Sequence, residues 1–400
     1  MKARIEEIRL QNFRAFESAR LTLSDLTFLV GRNGAGKSSI LDAVEFVREA
    51  LTDSLPNALD RRGGFLGIKR AGTGDDAPVG VAILMHLPVG NRSYRVLYGF
   101  RLYLVDKQVE IDEALRFPEL DPVSEGSEEQ RARKRKGFIR GPGGFLVDAS
   151  IAPAQVRHRL LFPLVAEAAE LWALVWAVLC EIRGYELSPH LMASLVPIGQ
   201  RTTLDRNGAN VGDVVSHLLE RREDVEWVIR HLAGVTDGMQ AIGVMAGDGY
   251  RRVQFIQEGQ GGSHNVLNAR QVSQGTLRAL GILLALRQTP APTLLVLDEL
   301  EDSIHPLAVD VLLEAIDQSR ERFPIIVTTH SPEVLSRKPA KGDRLRVLQW
   351  SEGVSRIYRL GQGTLNQLDE LTTVGWLLSV NGLGIAEPHE TWTDDILEWP

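Results

Sequence analysis

The chain has 400 residues, 44% hydrophobic and 24% charged, with 37 glycines and 18 prolines, which is the composition of a soluble protein with enough apolar content for a sizeable core. Its length fits roughly two or three domains, or one domain with a large insertion, and a formal net charge of −7 excludes a basic nucleic-acid surface spread over the whole molecule while leaving room for a local patch. The lone cysteine, Cys180, cannot close an intrachain disulfide, and "MKARIEEIRLQNF" at the start lacks an uninterrupted apolar stretch of the secretory kind, so the cytoplasm is the expected compartment.

Apolar residues at Ile5, Ile8, Leu10 and Phe13, then at Leu21, Leu23, Leu26, Phe28 and Val30, predict two strands before residue 31. From Ser38 the spacing changes: Ile40, Val44, Val47 and Leu51 share one face of a helix. A strand and a helix thus bracket the loop "GRNGAGKSS". Residues 52–77, rich in Gly, Arg and Asp, read as loop, and "VGVAILMHL" and "SYRVLYGFRLYLV" read as two strands of a sheet. Between 120 and 145 apolar periodicity stops and two charge blocks of opposite sign predict a mobile surface loop. Its run "RARKRK" at 131–136 suits either a phosphate backbone or simple solvation beside acidic neighbours.

Helical periodicity dominates 153–235 and returns to strand at "RRVQFIQEG". The apolar run 160–180 carries Glu167 and Glu170 in its interior, which is costly at bilayer depth; it predicts a buried helix, with Cys180 in the core, and no membrane partner. No fixed-period repeat and no sustained heptads occur, which argues against long coiled-coil arms. Further on, "TLLVL" is a continuous apolar run ending at Asp298 and Glu299, and "FPIIVTTH" is a second ending at His330. The helical spacing of Leu312 and Ile316 between them completes a strand, helix, strand unit of a parallel sheet.

Gly31, Gly36, Lys37 and Ser38 satisfy the phosphate-loop pattern G-x-x-x-x-G-K-[ST] in the strand-to-helix setting that it requires. Backbone N–H groups from Asn33 and Gly34 through Gly36 to Ser38 and Ser39 would wrap the phosphates of ATP, Lys37 would reach the β and γ phosphates, and the Ser38 hydroxyl would ligate Mg²⁺. At the later strand end Asp298 suits the metal through water, while Glu299 suits orienting or deprotonating the attacking water. His330 closes the next strand, where an imidazole reaches the γ-phosphate or that water. The stretch "VSQGTLRALG" at 272–281 opens a helix with a hydroxyl, Ser273, and a glycine, Gly275. That is an anion site at a helix N-terminus or a plain cap, by Ser273 or Thr276, of a core helix with Leu277, Leu280 and Leu284 inside.

Taken in order, "NFRAF", "GRNGAGKSS", "SQGTLRALGILLAL", "LLVLDELEDSIHP" and "IIVTTHSP" resemble the ABC-type ATPases of the RecF, SMC and OLD group, and more closely the compact AAA-type members of bacterial anti-phage defence systems. The resemblance covers both ends of the chain and only outlines the middle, at "YELSPHLM" and "LDRNGANVGDVVSHLL". It implies an α/β fold: a P-loop head with a mixed sheet and an inserted helical lobe. Residues 1–110 and 241–400 would form the ATPase lobe around an inserted segment at 111–240. In such families the signature loop, matched by Ser273 and Gly275, contacts the γ-phosphate held by the opposite subunit; Asp298 and Glu299 match the Walker B pair and His330 the switch histidine. This signature reads "VSQGT" where others have "LSGGQ", and no glutamine between 52 and 80 fits the Q-loop, leaving Arg61 and Arg62 as the nearest candidates.

One phosphate loop and one signature in a chain imply, by the family's geometry, a homodimer closed head to tail on two ATP molecules. The reading that follows is an ATP-hydrolysing switch in anti-phage defence or DNA maintenance that acts through a separate effector protein, with DNA open as a second partner. Its alternatives are an ATP-binding sensor or scaffold with little turnover, and a RecF-like repair ATPase. A transporter subunit fits poorly, because the interval from Lys37 to Ser273 is far too long, and a nuclease in the same chain fits poorly, because no acidic cleavage cluster follows His330. The terminal "HETWTDDILEWP", with Trp392 and Trp399 among acids, suits either a partner or its own sheet.

Overall fold

Three strands, not two, precede residue 31 in the computed structural model: β1 (Arg4–Phe13), β2 (Phe16–Thr22) and β3 (Leu26–Val30). The division falls at Ser24, whose hydroxyl donates to the Leu26 carbonyl at 2.6 Å and whose N–H donates to Thr27 Oγ1 at 3.0 Å, a local turn that competes with continued extension. The structure describes residues 3–117, 138–141, 144–146, 159–337, 340, 342–360, 385–388 and 396–397. The charged run 131–136 and the two terminal tryptophans lie outside them.

β1 and β2 belong to a seven-stranded antiparallel sheet with β4 (Val79–Val89), β5 (Arg92–Val105), β6 (Gln108–Arg116), β7 (Phe138–Gly141) and β8 (Gly144–Leu146), ordered β2-β1-β4-β5-β6-β7-β8. The β7–β8 hairpin occupies part of the stretch expected to be a mobile loop. Residues 52–77 likewise hold two short helices, Leu55–Asp60 and Phe65–Ile68, where loop is expected. In the first of these Ser54 caps the N-terminus and Pro56 sits in the first turn, signals that a Gly-rich composition conceals.

β3 joins a second, mixed sheet with β9 (Ile182–Tyr185), β14 (Leu294–Leu297), β15 (Ile325–Thr329), β16 (Leu345–Ser351), β17 (Val354–Leu360) and β18 (Ile385–Pro388), in the order β18-β17-β16-β3-β15-β14-β9. Its five strands from β16 to β9 are parallel. β3, β14 and β15 are buried at every residue because both faces are covered. Leu29, Leu294, Val296 and Ile326 face a core shared with the helix Lys37–Thr52 and the antiparallel sheet. Phe28, Val30, Leu295, Leu297 and Val327 face the other way, toward the helices Val211–Leu218, Arg222–Val235, Gln274–Arg287 and Pro306–Ser319.

A smaller sheet completes the lobe: β10 (Val196–Pro197), β12 (Tyr250–Glu258) and β11 (Met239–Gly247), with β13 (His264–Asn268) on β12. The region 153–235 is therefore less helical than its periodicity predicts, since β9 and β10 both arise in it. The apolar run 160–180 also breaks. Ala169 is extended (φ −147°, ψ 142°), and the helix after it, Glu170–Cys180, has 11 residues with Trp172, Val175, Val178 and Leu179 inside. Cys180 ends that helix half-buried and not in the core. Among the described residues no helix is long and apolar enough to cross a membrane, and the helix Lys37–Thr52 has 16 residues, short for a coiled-coil arm.

Candidate nucleotide site

Because β3, β15, β14 and β9 run parallel, their C-terminal ends open on one edge of the sheet, where ligands of α/β proteins sit. From β3 the chain enters the phosphate loop. Gly36 has φ 97°, and a Cβ there would lie 3.0 Å from the Phe16 ring, so glycine alone fits the turn into the helix Lys37–Thr52. Asn33 and Gly34 are exposed on the loop, Gly36 is buried, and the Ser39 N–H donates to the Gly36 carbonyl at 3.1 Å.

Lys37 is buried, with Nζ donating to the Gly31 carbonyl at 2.7 Å and the Arg32 carbonyl at 3.2 Å. Burial pulls its ammonium pKa below the usual lysine range, and the carboxylates of Glu299, Asp298 and Glu301 oppose that shift. The exposed Ser38 donates through Oγ to Asp298 Oδ2 at 3.1 Å, while Asp298 Oδ1 accepts from the buried Thr328 hydroxyl at 2.5 Å. That same Thr328 oxygen accepts the Glu299 N–H at 2.8 Å. One hydroxyl on β15 thereby holds both strand-end acids. Glu299 adopts φ 47°, the left-handed region that non-glycine residues rarely enter, and faces a cavity of about 540 Å³ shared with Asp298, Asp302, Glu186, Arg206 and Arg278.

Half-exposed, His330 has its N–H donating to Glu301 Oε1 at 2.8 Å and its Nδ1 3.2 Å from the same oxygen. Ser273 is the exposed N-cap of the helix Gln274–Arg287: its Oγ accepts the Thr276 N–H at 3.1 Å. The Thr276 hydroxyl lies 2.8 Å from Ser273 Oγ and 2.8 Å from Thr236 Oγ1. Thr276 is thus a buried support and Ser273 the cap. Every residue from Thr276 to Leu286 is buried, so the helix has no polar face, and Leu277, Leu280 and Leu284 are only part of what it buries. The structure therefore brings Lys37, Ser38, Asp298, Glu299 and His330 to one edge. Among the described residues no hydrogen bond joins Ser273 or Gly275 to the phosphate loop.

Two family models match separate parts of the chain: "AAA ATPase domain" over residues 1–61 and "AAA domain, putative AbiEii toxin, Type IV TA system" over residues 184–336. Among solved structures, an SMC head bound to the C-terminal winged-helix domain of ScpA shares 15% identity at TM-score 0.56, covering 90% of this chain and 99% of its own. The Pyrococcus furiosus Smc head with an extended coiled coil, bound to the C-terminal domain of ScpA, gives 13% identity and TM-score 0.51, covering 91% and 98%. The chain has the fold of an SMC-type head domain. The Pyrococcus yayanosii Smc head with a coiled coil and joint agrees, at 13% identity and TM-score 0.50, covering 91% and 98%. No curated protein matches the sequence.

The second matched region begins at β9 and takes in the helix Gln274–Arg287, β14 and β15; β4 to β8 lie outside both matched regions. Three residues that sequence patterns did not single out hold the site together. Glu301, the third acid of "DELED", accepts the N–H groups of both His330 and Ser331. Arg278 is buried and donates to the carbonyls of Asp298 and Glu299. Asp42, four residues after Ser38, accepts from Arg14 Nε at 2.7 Å and Arg62 Nε at 2.9 Å. Arg62 is also tied to Glu49 and the Ala58 carbonyl, and Arg61 sits on Asp53; neither lines the cavity next to Glu299. A sequence signal existed for Glu301, as the extra acid in "DELED", and for Asp42 only through its partner Arg14 in "NFRAF"; for Arg278 there was none.

Proposed function

We propose that this head is an ATP-binding and ATP-hydrolysing switch, two copies of which close head to tail around two ATP molecules. The observation that carries the reading is the contact of Ser38 with Asp298, with Glu299 next in the chain, at the edge where the phosphate loop opens. The hydroxyl of Ser38 and the carboxylate of Asp298 are hard oxygen donors that would hold Mg²⁺, which would supply neutralisation of phosphate charge. Lys37 would leave the carbonyls of Gly31 and Arg32 for phosphate oxygens, a gain for an ammonium that burial disfavours. Glu299 orients the attacking water and takes its proton, and His330, steadied by Glu301, hydrogen-bonds the departing phosphate or that water.

The exposed cap at Ser273, which no hydrogen bond among the described residues joins to the phosphate loop, supports closure: Ser273 and Gln274 at the helix start are exposed, where a γ-phosphate held by the other copy would meet them. The SMC heads in two of the similar structures are bound to pieces of ScpA, and one matching family description names a toxin of a type IV toxin–antitoxin system. By analogy, this switch works through a separate effector protein in anti-phage defence or DNA maintenance, with DNA as a candidate stimulus.

Steady-state phosphate release tests the reading, with Lys37→Ala as the control and with DNA added in a second arm. Magnesium-dependent release by the native chain that the substitution abolishes is expected. Release no greater than that of Lys37→Ala, with and without DNA, would leave only a nucleotide-binding scaffold.

A further inference from the structure

Arg278 lies inside the helix that starts at Ser273, is buried, and spends its guanidinium on the chain around the strand ends. Nη1 donates to the Leu187 carbonyl at 2.7 Å and to Asp302 Oδ2 at 3.2 Å; Nη2 donates to the Asp298 carbonyl at 2.9 Å and the Glu299 carbonyl at 2.8 Å. Its Nε is buried without a hydrogen-bond partner, so the Nη contacts alone set the orientation of the fork. Glu299 sits in the left-handed region, which an L-residue keeps only when its surroundings hold it there. Its two neighbouring peptide groups are fixed from opposite sides, the N–H by Thr328 on β15 and the carbonyl by Arg278 on the signature helix. A second contact joins the same two segments: a Cβ on Gly275 would lie 2.6 Å from the Ser303 carbonyl oxygen, so the helix start and the loop after Glu299 touch backbone to backbone.

We propose that Arg278 is a positioning residue that couples the signature loop to Glu299, so that engagement of the partner's γ-phosphate at Ser273 and Gly275 sets the general base of the chain's own site and makes the two ATP sites of the dimer act cooperatively. The inference rests on the proposed dimeric ATPase. A shift of the helix start moves the fork, the fork moves the Asp298 and Glu299 carbonyls, and the Glu299 carboxylate moves with its backbone. Lysine cannot reproduce this, because a single ammonium has no planar fork to span carbonyls from two strand ends.

The test uses the full chain and its Arg278→Gln and Arg278→Lys variants, with ATP affinity read by fluorescence, phosphate release followed across ATP concentration, and thermal midpoints recorded alongside. The native chain should give a Hill coefficient above 1. Arg278→Gln should bind ATP within about twofold of native, lose about tenfold or more in kcat, and show a Hill coefficient of 1; Arg278→Lys should recover part of the rate and none of the cooperativity. A folded Arg278→Gln protein with native kcat and native Hill coefficient overturns the proposal. If that variant does not fold, a folded Arg278→Lys protein with full rate and full cooperativity overturns it. A native chain that turns over ATP as a dimer with a Hill coefficient of 1 overturns the coupling alone. A native chain without turnover or nucleotide-dependent dimerisation overturns the underlying reading as well.

Discussion

Ser38 Oγ, at the start of the helix after the phosphate loop, donates to Asp298 Oδ2, at the end of β14, over 3.1 Å although 260 positions separate the two residues. The contact joins the element that would bind phosphate to the one that would bind metal, and Thr328 fixes the other carboxylate oxygen.

Replacing Asp298 by Asn keeps the shape and the Thr328 contact but removes the charge. Metal-site residues of this kind typically contribute 10- to 100-fold, so phosphate release should fall by about 100-fold at millimolar Mg²⁺ and recover partly as Mg²⁺ is raised. An unchanged Mg²⁺ dependence would remove Asp298 from the metal side.

Glu301 receives two backbone N–H groups and faces the His330 ring. A Glu301→Gln chain keeps one acceptor oxygen and loses the charge that orients the imidazole, so kcat should drop about tenfold with KM nearly unchanged. A rise in KM with unchanged kcat would place Glu301 in nucleotide binding instead.

Gly275 admits no side chain without moving the Ser303 carbonyl. Gly275→Ala should lower unfolding free energy by about 1–3 kcal/mol, the usual cost of overpacking. It should also weaken ATP-dependent association while leaving ATP binding by the single chain intact. Calorimetry and size measurements separate the two effects, and native association by a destabilised variant would show that the signature loop tolerates displacement.

Cys180 is kept protonated: burial, helped by Glu181 and opposed by Arg183 and Arg48, raises its thiol from 9.0 to about 12. Because the neutral form is favoured, the reactive thiolate is scarce at pH 8, and a disulfide reagent should modify native Cys180 about 1000-fold more slowly than an unperturbed thiol. The rate should climb about tenfold per pH unit as the pH rises toward that pKa. Fast labelling at pH 8 in the folded chain would mean that the helix end opens.

Much of this architecture is readable without coordinates. The strand before the phosphate loop shows in Leu26, Phe28 and Val30 and the helix after it in the one-face spacing of Ile40, Val44, Val47 and Leu51, while β14 and β15 are continuous apolar segments that stop at polar residues, as buried parallel strands do. β9 escaped because "IRGY" is four residues long and follows an apolar helix without a turn signal, so tertiary pairing with β14 decides its state. Ala169 hides a helix break inside an apolar run for the same reason: nothing in its side chain announces an extended backbone. Arg278 was illegible for a different cause. Three of its four acceptors are main-chain carbonyls, which every residue has, and the fourth, Asp302, lies 24 positions away, so no local pattern of side chains marks the contact. Asp298, Glu299 and His330 stood out because their own side chains end the strands.

The most direct measurement of the central claim is the solution mass of the Glu299→Gln chain by light scattering with ATP and Mg²⁺. Removing the base while keeping the nucleotide site should trap ATP, so a mass of two chains that reverts to one without nucleotide, and that Ser273→Arg prevents, is the predicted result. A mass of one chain at saturating ATP and Mg²⁺ contradicts the head-to-tail switch.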